Sequence, residues 1–227
     1  MSGVEVDGGA VRDDRVPVGV LLSGSGTNLQ ALIDAAAAPD YPARICVVIS
    51  NRKRAFGLER ARAAGIPAVW IPHRRYDSRE AFDAALTEAL RAHGARWVAA
   101  AGFMRILTPS FLEAWPWRVL NIHPALLPAF AGVDGQGQAL AYGVRVAGAT
   151  VHFVDAGTDT GPIIAQGAVP VLPGDDRDAL AARILTVEHQ LYPAVLRQAA
   201  EGRLRVEDGR AIVDLREGES TWVWRAG

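Results

Sequence analysis

The feature that most restricts the fold of this chain is an alternation that repeats from Val16 to His123. Short β-rich runs (Val16 to Leu22, Arg44 to Ser50, Ala68 to Ile71, Trp97 to Ala101, Val119 to His123) are separated by stretches with helical spacing. Helices are expected from about Asn28 to Ala38, from Phe56 to Ala64 with Gly65 as the stop, and near Pro109 to Ala114. A further helix opens at Asp77 as cap with Glu80 three residues on, and carries an apolar stripe of Phe82, Ala85, Leu86, Ala89 and Leu90. Strands joined through helices pair in parallel with right-handed crossovers. The alternation therefore predicts an α/β fold built on a doubly wound, mostly parallel sheet. Such sheets take ligands at the carboxyl ends of their strands, and Ser23, Asn51, Gly102 and His123 all fall there.

Beyond Pro128 the pattern changes. A glycine-rich loop, Ala131 to Gly137, leads into Gln138 to Tyr142, and strands are expected over Ala149 to Val154 and Ile163 to Val171. The long amphipathic stretch from Asp176 to Ala200 should kink at Pro193, whose ring clashes with the carbonyl of His189. Leu204 to Val206 and Ala211 to Leu215, around Glu207-Asp208-Gly209-Arg210, read as a C-terminal β-hairpin.

Three segments carry chemistry. In Leu120-Asn121-Ile122-His123-Pro124, Asn121 and His123 alternate and so project to one face of a strand. Polar groups placed there cost free energy unless they have partners or a task. An amide can donate to a developing oxyanion, and an imidazole can donate or move a proton near neutrality. Ser23-Gly24-Ser25-Gly26-Thr27-Asn28 joins the first strand to the first helix, where backbone N–H groups can cradle a phosphate. It lacks the Gly-Lys-Ser/Thr of a nucleotide-triphosphate loop and the third glycine of a dinucleotide fingerprint, where Leu29 stands. The second strand ends in Asn51 rather than an acid that could hold a ribose diol, so a small phosphorylated metabolite fits better than NAD. In Asp155 to Pro162, Asp155 reads as part of an exposed turn, whereas Asp159 can reach the Asn121/His123 strand end and orient the imidazole. His73 and His93 read as surface groups, His152 as a satisfied core or edge histidine, Arg52-Lys53-Arg54 as a solvated cluster and Cys46 as core.

Lys plus Arg total 24 against 25 Asp plus Glu, so no overall field favours nucleic acid or an acidic membrane. No apolar stretch approaches the roughly 20 residues that span a bilayer. Residues 1–15 are polar, without the apolar centre of a signal peptide, and are expected to be a disordered extension of a cytoplasmic protein.

With these pieces in view, the sequence resembles the phosphoribosylglycinamide formyltransferases, the folate-dependent glycinamide ribonucleotide transformylases. The resemblance rests on Ser23 to Gln30, Phe56-Gly57-Leu58-Glu59-Arg60-Ala61, Ala101-Gly102-Phe103-Met104-Arg105-Ile106-Leu107, Leu120 to Pro128, Thr158 to Ile163 and Glu188-His189, in family order. It implies a Rossmann-like formyltransferase fold as one domain over 16–227, its N-terminal half, to about 120, binding phosphate and its C-terminal half catalytic and folate-binding. It implies transfer of the formyl group of 10-formyltetrahydrofolate, as co-substrate, to the glycine amine of 5-phosphoribosylglycinamide in purine biosynthesis. Asn121, His123 and Asp159 match the catalytic trio, and transfer is expected to be direct, through a tetrahedral intermediate and without a metal. Gly26, Thr27, Asn28 and Glu188 match positions on the ribonucleotide; Arg79, Met104, Arg105, Ile106 and Leu107 match positions on the folate side. The partners implied are those two small molecules, with no nucleic acid and no membrane, and a homodimer is compatible with the chain.

One departure stands out. The family's phenylalanine-proline-glycine turn and histidine-containing loop are replaced by Phe130-Ala131-Gly132-Val133-Asp134-Gly135-Gln136-Gly137, which should make this segment more mobile. The alternatives are a formyltetrahydrofolate hydrolase, another folate formyl enzyme with an added domain, a nicotinamide- or nucleotide-sugar-binding module, and a folate-binding relative without turnover.

Overall fold

A computed structural model describes residues 13–224. In chain order the elements are β1 (Val16–Leu22), α1 (Thr27–Ala36), β2 (Ala43–Ser50), α2 (Phe56–Ala63), β3 (Ala68–Trp70), α3 (Arg79–Ala92), β4 (Trp97–Ala100), α4 (Pro109–Ala114) and β5 (Val119–His123). There follow α5 (Gly135–Tyr142), β6 (Val146–Phe153), β7 (Ile163–Pro170), α6 (Arg177–Ala200), β8 (Leu204–Glu207), β9 (Arg210–Val213) and β10 (Trp222–Trp224). The eight-stranded sheet runs β10-β7-β6-β5-β4-β1-β2-β3, with β8 and β9 as a separate hairpin. From β3 to β5 every pairing is parallel; β6 runs antiparallel to both β5 and β7, and β10 parallel to β7. This is the expected doubly wound, mostly parallel architecture, and its strand order reverses between β1 and β4.

The sheet has a core on each face because its central strands are apolar at consecutive positions. Val18, Val20 and Leu22 of β1 join Leu29 and Leu32 of α1 and Ile184, Val187, Leu191 and Val195 of α6 on one side. Leu21 points the other way, with Val47, Ile49, Phe82, Leu86 and Leu90. Cys46 lies in this second core, as expected. Tyr192 of α6, with no exposed surface, donates its hydroxyl toward the carbonyls of Ala100 (2.9 Å) and Leu120 (3.1 Å), and so ties the helix to the ends of β4 and β5.

Several boundaries differ from expectation. The cap of α3 is Ser78, not Asp77: its hydroxyl accepts the Ala81 N–H at 3.0 Å. The loop expected over Ala131 to Gly137 is shorter, because Asp134 caps α5 and Gly135 to Gly137 form its first turn. Gln138 donates back to the carbonyls of Ala131 and Val133, and Arg177 pairs with Asp134 at 2.6 Å, which counters the loosening that the glycines would bring. α6 continues through Pro193, flanked by buried Leu191, Tyr192, Val195 and Leu196. β6 starts three residues before the expected Ala149, where Val146 meets Pro170 of β7. β10 is an addition: a three-residue Trp-Val-Trp strand is too short for periodicity to reveal, and only its partner β7 defines it. The expected extension falls, for residues 1–12, outside the described residues. Arg15, by contrast, donates to the Ala36 carbonyl at 2.8 Å. Among the described residues no helix is long and apolar enough to cross a membrane.

Candidate active site

β5 delivers Asn121 and His123 to the edge of the parallel half of the sheet, and the loop after β6 brings Asp159 back to them. Asp159 adopts φ +55°, a left-handed conformation that turns its side chain inward. One carboxylate oxygen lies 3.3 Å from His123 Nδ1 and accepts the Gly132 N–H at 2.8 Å. On its other side His123 Nε2 is 2.9 Å from the Phe130 carbonyl. Both ring nitrogens thus face oxygen acceptors.

A second imidazole completes this centre. Register places His152 of β6 opposite Asn121. His152 Nδ1 lies 2.8 Å from the Phe153 carbonyl oxygen, and its Nε2 lies 3.1 Å from the Asn121 amide nitrogen. The same nitrogen is 3.7 Å from Asp159. His152 is buried and partnered, as the sequence indicated; its contact with both Asn121 and Asp159 was not foreseen. The missing signal is the antiparallel register between β5 and β6, which no local pattern reveals. One Asn121 N–H is engaged by His152, and the second remains to donate elsewhere. Burial alone would raise the Asp159 carboxyl, but the His152 contact, the Gly132 N–H and the neighbouring imidazoles outweigh it and hold the group below the ordinary value.

The turn after β1 is shaped for an anion. Gly26 takes φ +72° at the start of α1, and a Cβ there would come within 2.7 Å of Gly57 Cα. No side chain caps α1, so its first N–H groups stay available. α2 braces the turn from outside: Gly57 N–H donates to Gly24 O (3.1 Å) and Arg60 Nε to Ser25 O (2.9 Å). Asn28 donates to Glu188 of α6 at 2.6 Å, while its own buried carbonyl oxygen has no partner. Burial pushes the Glu188 carboxyl up, against the opposing bond from Asn28. Gly26, Thr27, Asn28 and Glu188 are therefore neighbours. β1 and β5 lie two strands apart, so their backbones run about 10 Å from each other and the turn and the Asn121/His123 end follow the same end of the sheet.

The segment after β4 forms the third side. Met104 and Ile106 expose about half their surface (56% and 53%), beside Arg105. Arg79 Nη2 donates to the Ile106 carbonyl at 2.9 Å. Leu107 differs: its side chain is buried in the core with Phe82 and Phe111, so only its backbone can face a ligand. A cavity of about 580 Å³ between α3 and α4 is lined by Asp83, Thr87, Arg91 and Phe111 and includes none of Arg79, Met104, Arg105, Ile106 and Leu107. Among the described residues no group of three or more His, Cys, Asp or Glu could hold a metal ion.

The family described as "Formyl transferase" matches residues 17–196. The chain is 50% identical over 193 residues to the trifunctional purine biosynthetic protein adenosine-3 of Drosophila pseudoobscura pseudoobscura, which covers 84% of this chain and only 14% of that much longer protein. It is 45% identical over 195 residues to the phosphoribosylglycinamide formyltransferase of Escherichia coli (strain K12), covering 86% of this chain and 92% of that one. The crystal structure of glycinamide ribonucleotide transformylase 1 from Symbiobacterium toebii superposes with a TM-score of 0.86 at 53% identity, covering 89% of this chain and 95% of that chain.

Proposed function

The chain belongs to the formyl transferase family, and from that premise we propose that it transfers the formyl group of 10-formyltetrahydrofolate to the glycine amine of 5-phosphoribosylglycinamide, a step of purine biosynthesis. The observation that carries this reading is the meeting of Asn121, His123 and Asp159, with one Asn121 N–H unspent, at the end of a strand two places in the sheet from the strand that leads into an uncapped helix start.

In this mechanism the turn at Gly26, Thr27 and Asn28 holds the phosphate of the acceptor, and Glu188 accepts from its ribose hydroxyls. Met104 and Ile106 supply an apolar strip for the flat folate ring, and Arg79 and Arg105 meet its carboxylates. The amine attacks the formyl carbon, forming the new C–N bond and a tetrahedral oxyanion. Asn121 Nδ2–H and His123 donate to that oxygen, after the Phe130 carbonyl has yielded His123 Nε2. Asp159, held ionised, fixes the ring through Nδ1. Collapse breaks the bond to the folate nitrogen, which takes the proton that the amine gives up, relayed by His123 and water. Holding both reactants this way removes several kcal/mol of barrier. In the same reading residues 16–227 act as one unit in the cytoplasm, and all three catalytic groups come from a single chain.

The test is single-turnover formyl transfer by Asn121→Ala, His123→Ala and Asp159→Ala. Each is expected to lose about 10²- to 10³-fold; rates near wild type in all three would remove this mechanism. Donor breakdown that proceeds equally without the acceptor would identify a hydrolase instead.

A further inference from the structure

Where the strand order reverses, between β1 and β4, two buried polar side chains have no part in the chemistry above. Ser23 is 2% exposed and Asn51 5%. The Ser23 N–H donates to the Gly102 carbonyl at 3.0 Å, which continues the β1–β4 pairing one step past the strands. Beyond that point the two backbones part, Gly24 to Asn28 into the phosphate turn and Phe103 to Leu107 into the folate-side loop. The Ser23 hydroxyl spans the divergence: it accepts the Met104 N–H at 2.9 Å and donates to Asn51 Oδ1 at 2.7 Å. With its oxygen committed to Ser23, the Asn51 amide presents Nδ2 to His73 Nδ1 at 3.4 Å. Burial, with Arg105, Arg74 and Arg52 nearby, holds the His73 ring below its ordinary pKa.

We propose that Ser23, oriented by Asn51, is a positioning residue that fixes the spacing between the phosphate turn and the 103–107 loop, and so sets how closely the two substrates approach. The inference rests on the functional reading above. Its physical basis is that each substrate is held by its own loop while reaction needs both at once. A hydroxyl has one proton and two lone pairs. Here the proton is spent on Asn51 and a lone pair on Met104, so one small group locks both loop roots. Without it the Met104 N–H and Asn51 Oδ1 lose their partner in a buried place, at a cost that favours a shifted loop. Each loop would still carry its own ligand contacts, so the loss falls on alignment and not on binding.

The experiment compares wild type, Ser23→Ala, Asn51→Ala and the double variant. Calorimetry with 5-phosphoribosylglycinamide alone and with tetrahydrofolate alone reads each loop by itself; single-turnover transfer at saturation reads their alignment; amide exchange at Met104 reads the link directly. Ser23→Ala is expected to bind each ligand within about threefold of wild type, to exchange the Met104 amide faster and to lose up to about 10²-fold in rate. Because both groups act through one bond, the double variant should lose no more than Ser23→Ala. Wild-type rates in Ser23→Ala, or unchanged Met104 exchange, overturn the proposal. So does a parallel loss of both affinities with the thermal midpoint, which marks a merely structural serine. A wild-type protein that binds both ligands yet transfers nothing sinks the functional reading, and this one with it.

Discussion

Asp159 and Glu188 are carboxylates whose surroundings push them in opposite directions, and pH separates them. Burial would raise Asp159, yet His152, the Gly132 N–H and His123 together bring it below 3.8. The folded state therefore holds fewer protons on this group than the unfolded chain does as pH falls below 3.8. Its stabilisation is complete above that value and is lost as pH drops through the folded one. Asp159→Asn should thus melt below wild type near neutrality, and the gap should close in strong acid; a gap independent of pH would contradict the assignment. Glu188 is the reverse case, raised above 4.5 by burial despite the Asn28 bond. The native state keeps its proton where the unfolded chain has released it, so this group lowers stability as pH rises above 4.5. Glu188→Gln should remove that decline while weakening ribonucleotide binding. Unfolding free energies for the pair at pH values on either side of 4.5 check it, and identical pH profiles would count against it.

The phosphate turn depends on α2 as much as on its own glycines. A Cβ on Gly57 would overlap the side chain of Leu22 on β1, so α2 docks this closely against the turn because a glycine stands there. Gly57→Ala is expected to cost about 1–3 kcal/mol in urea unfolding. It should also weaken ribonucleotide affinity, because the Gly24 and Ser25 carbonyls are held by this helix. Unaltered affinity, measured by calorimetry, would show that α2 merely covers the turn. The start of α3 shows where local sequence stops short: Asp77 and Ser78 are both good capping types, and only the extended backbone of Ser78 puts its oxygen on the Ala81 N–H. In α5 the glycines at 135 and 137 favour a loop by propensity. The Asp134 cap and its ion pair with Arg177, a residue on a different helix, set the helix start instead.

α6 ties the molecule together, crossing the β4–β5 boundary with a fully buried tyrosine. Tyr192→Phe removes the donor shared by Ala100 and Leu120 without changing shape and should lower stability by about 1–2 kcal/mol. Formyl transfer at saturation should stay near wild type; a large rate loss would mean that α6 controls the catalytic strand and does more than support it. The sheet as a whole joins a parallel half, which carries the ligand turn, to an antiparallel half. The latter supplies His152, and the loop between its two strands supplies Asp159.

The parallel architecture was legible in the chain alone, because burial on two faces imposes period and punctuation on each strand and helix. So were the glycine turn and the alternation of Asn121 with His123, since both are properties of a few adjacent residues. Asp159 was expected to reach the His123 strand end and lies 3.3 Å from its ring, whereas the pairing of His152 with Asn121 and of Ser23 with Met104 came only with the tertiary structure. Those partners are separated by long stretches of chain, and what brings them within bonding distance is strand register and the path of loops around a packed core. Neither leaves a trace in the local periodicity of either partner.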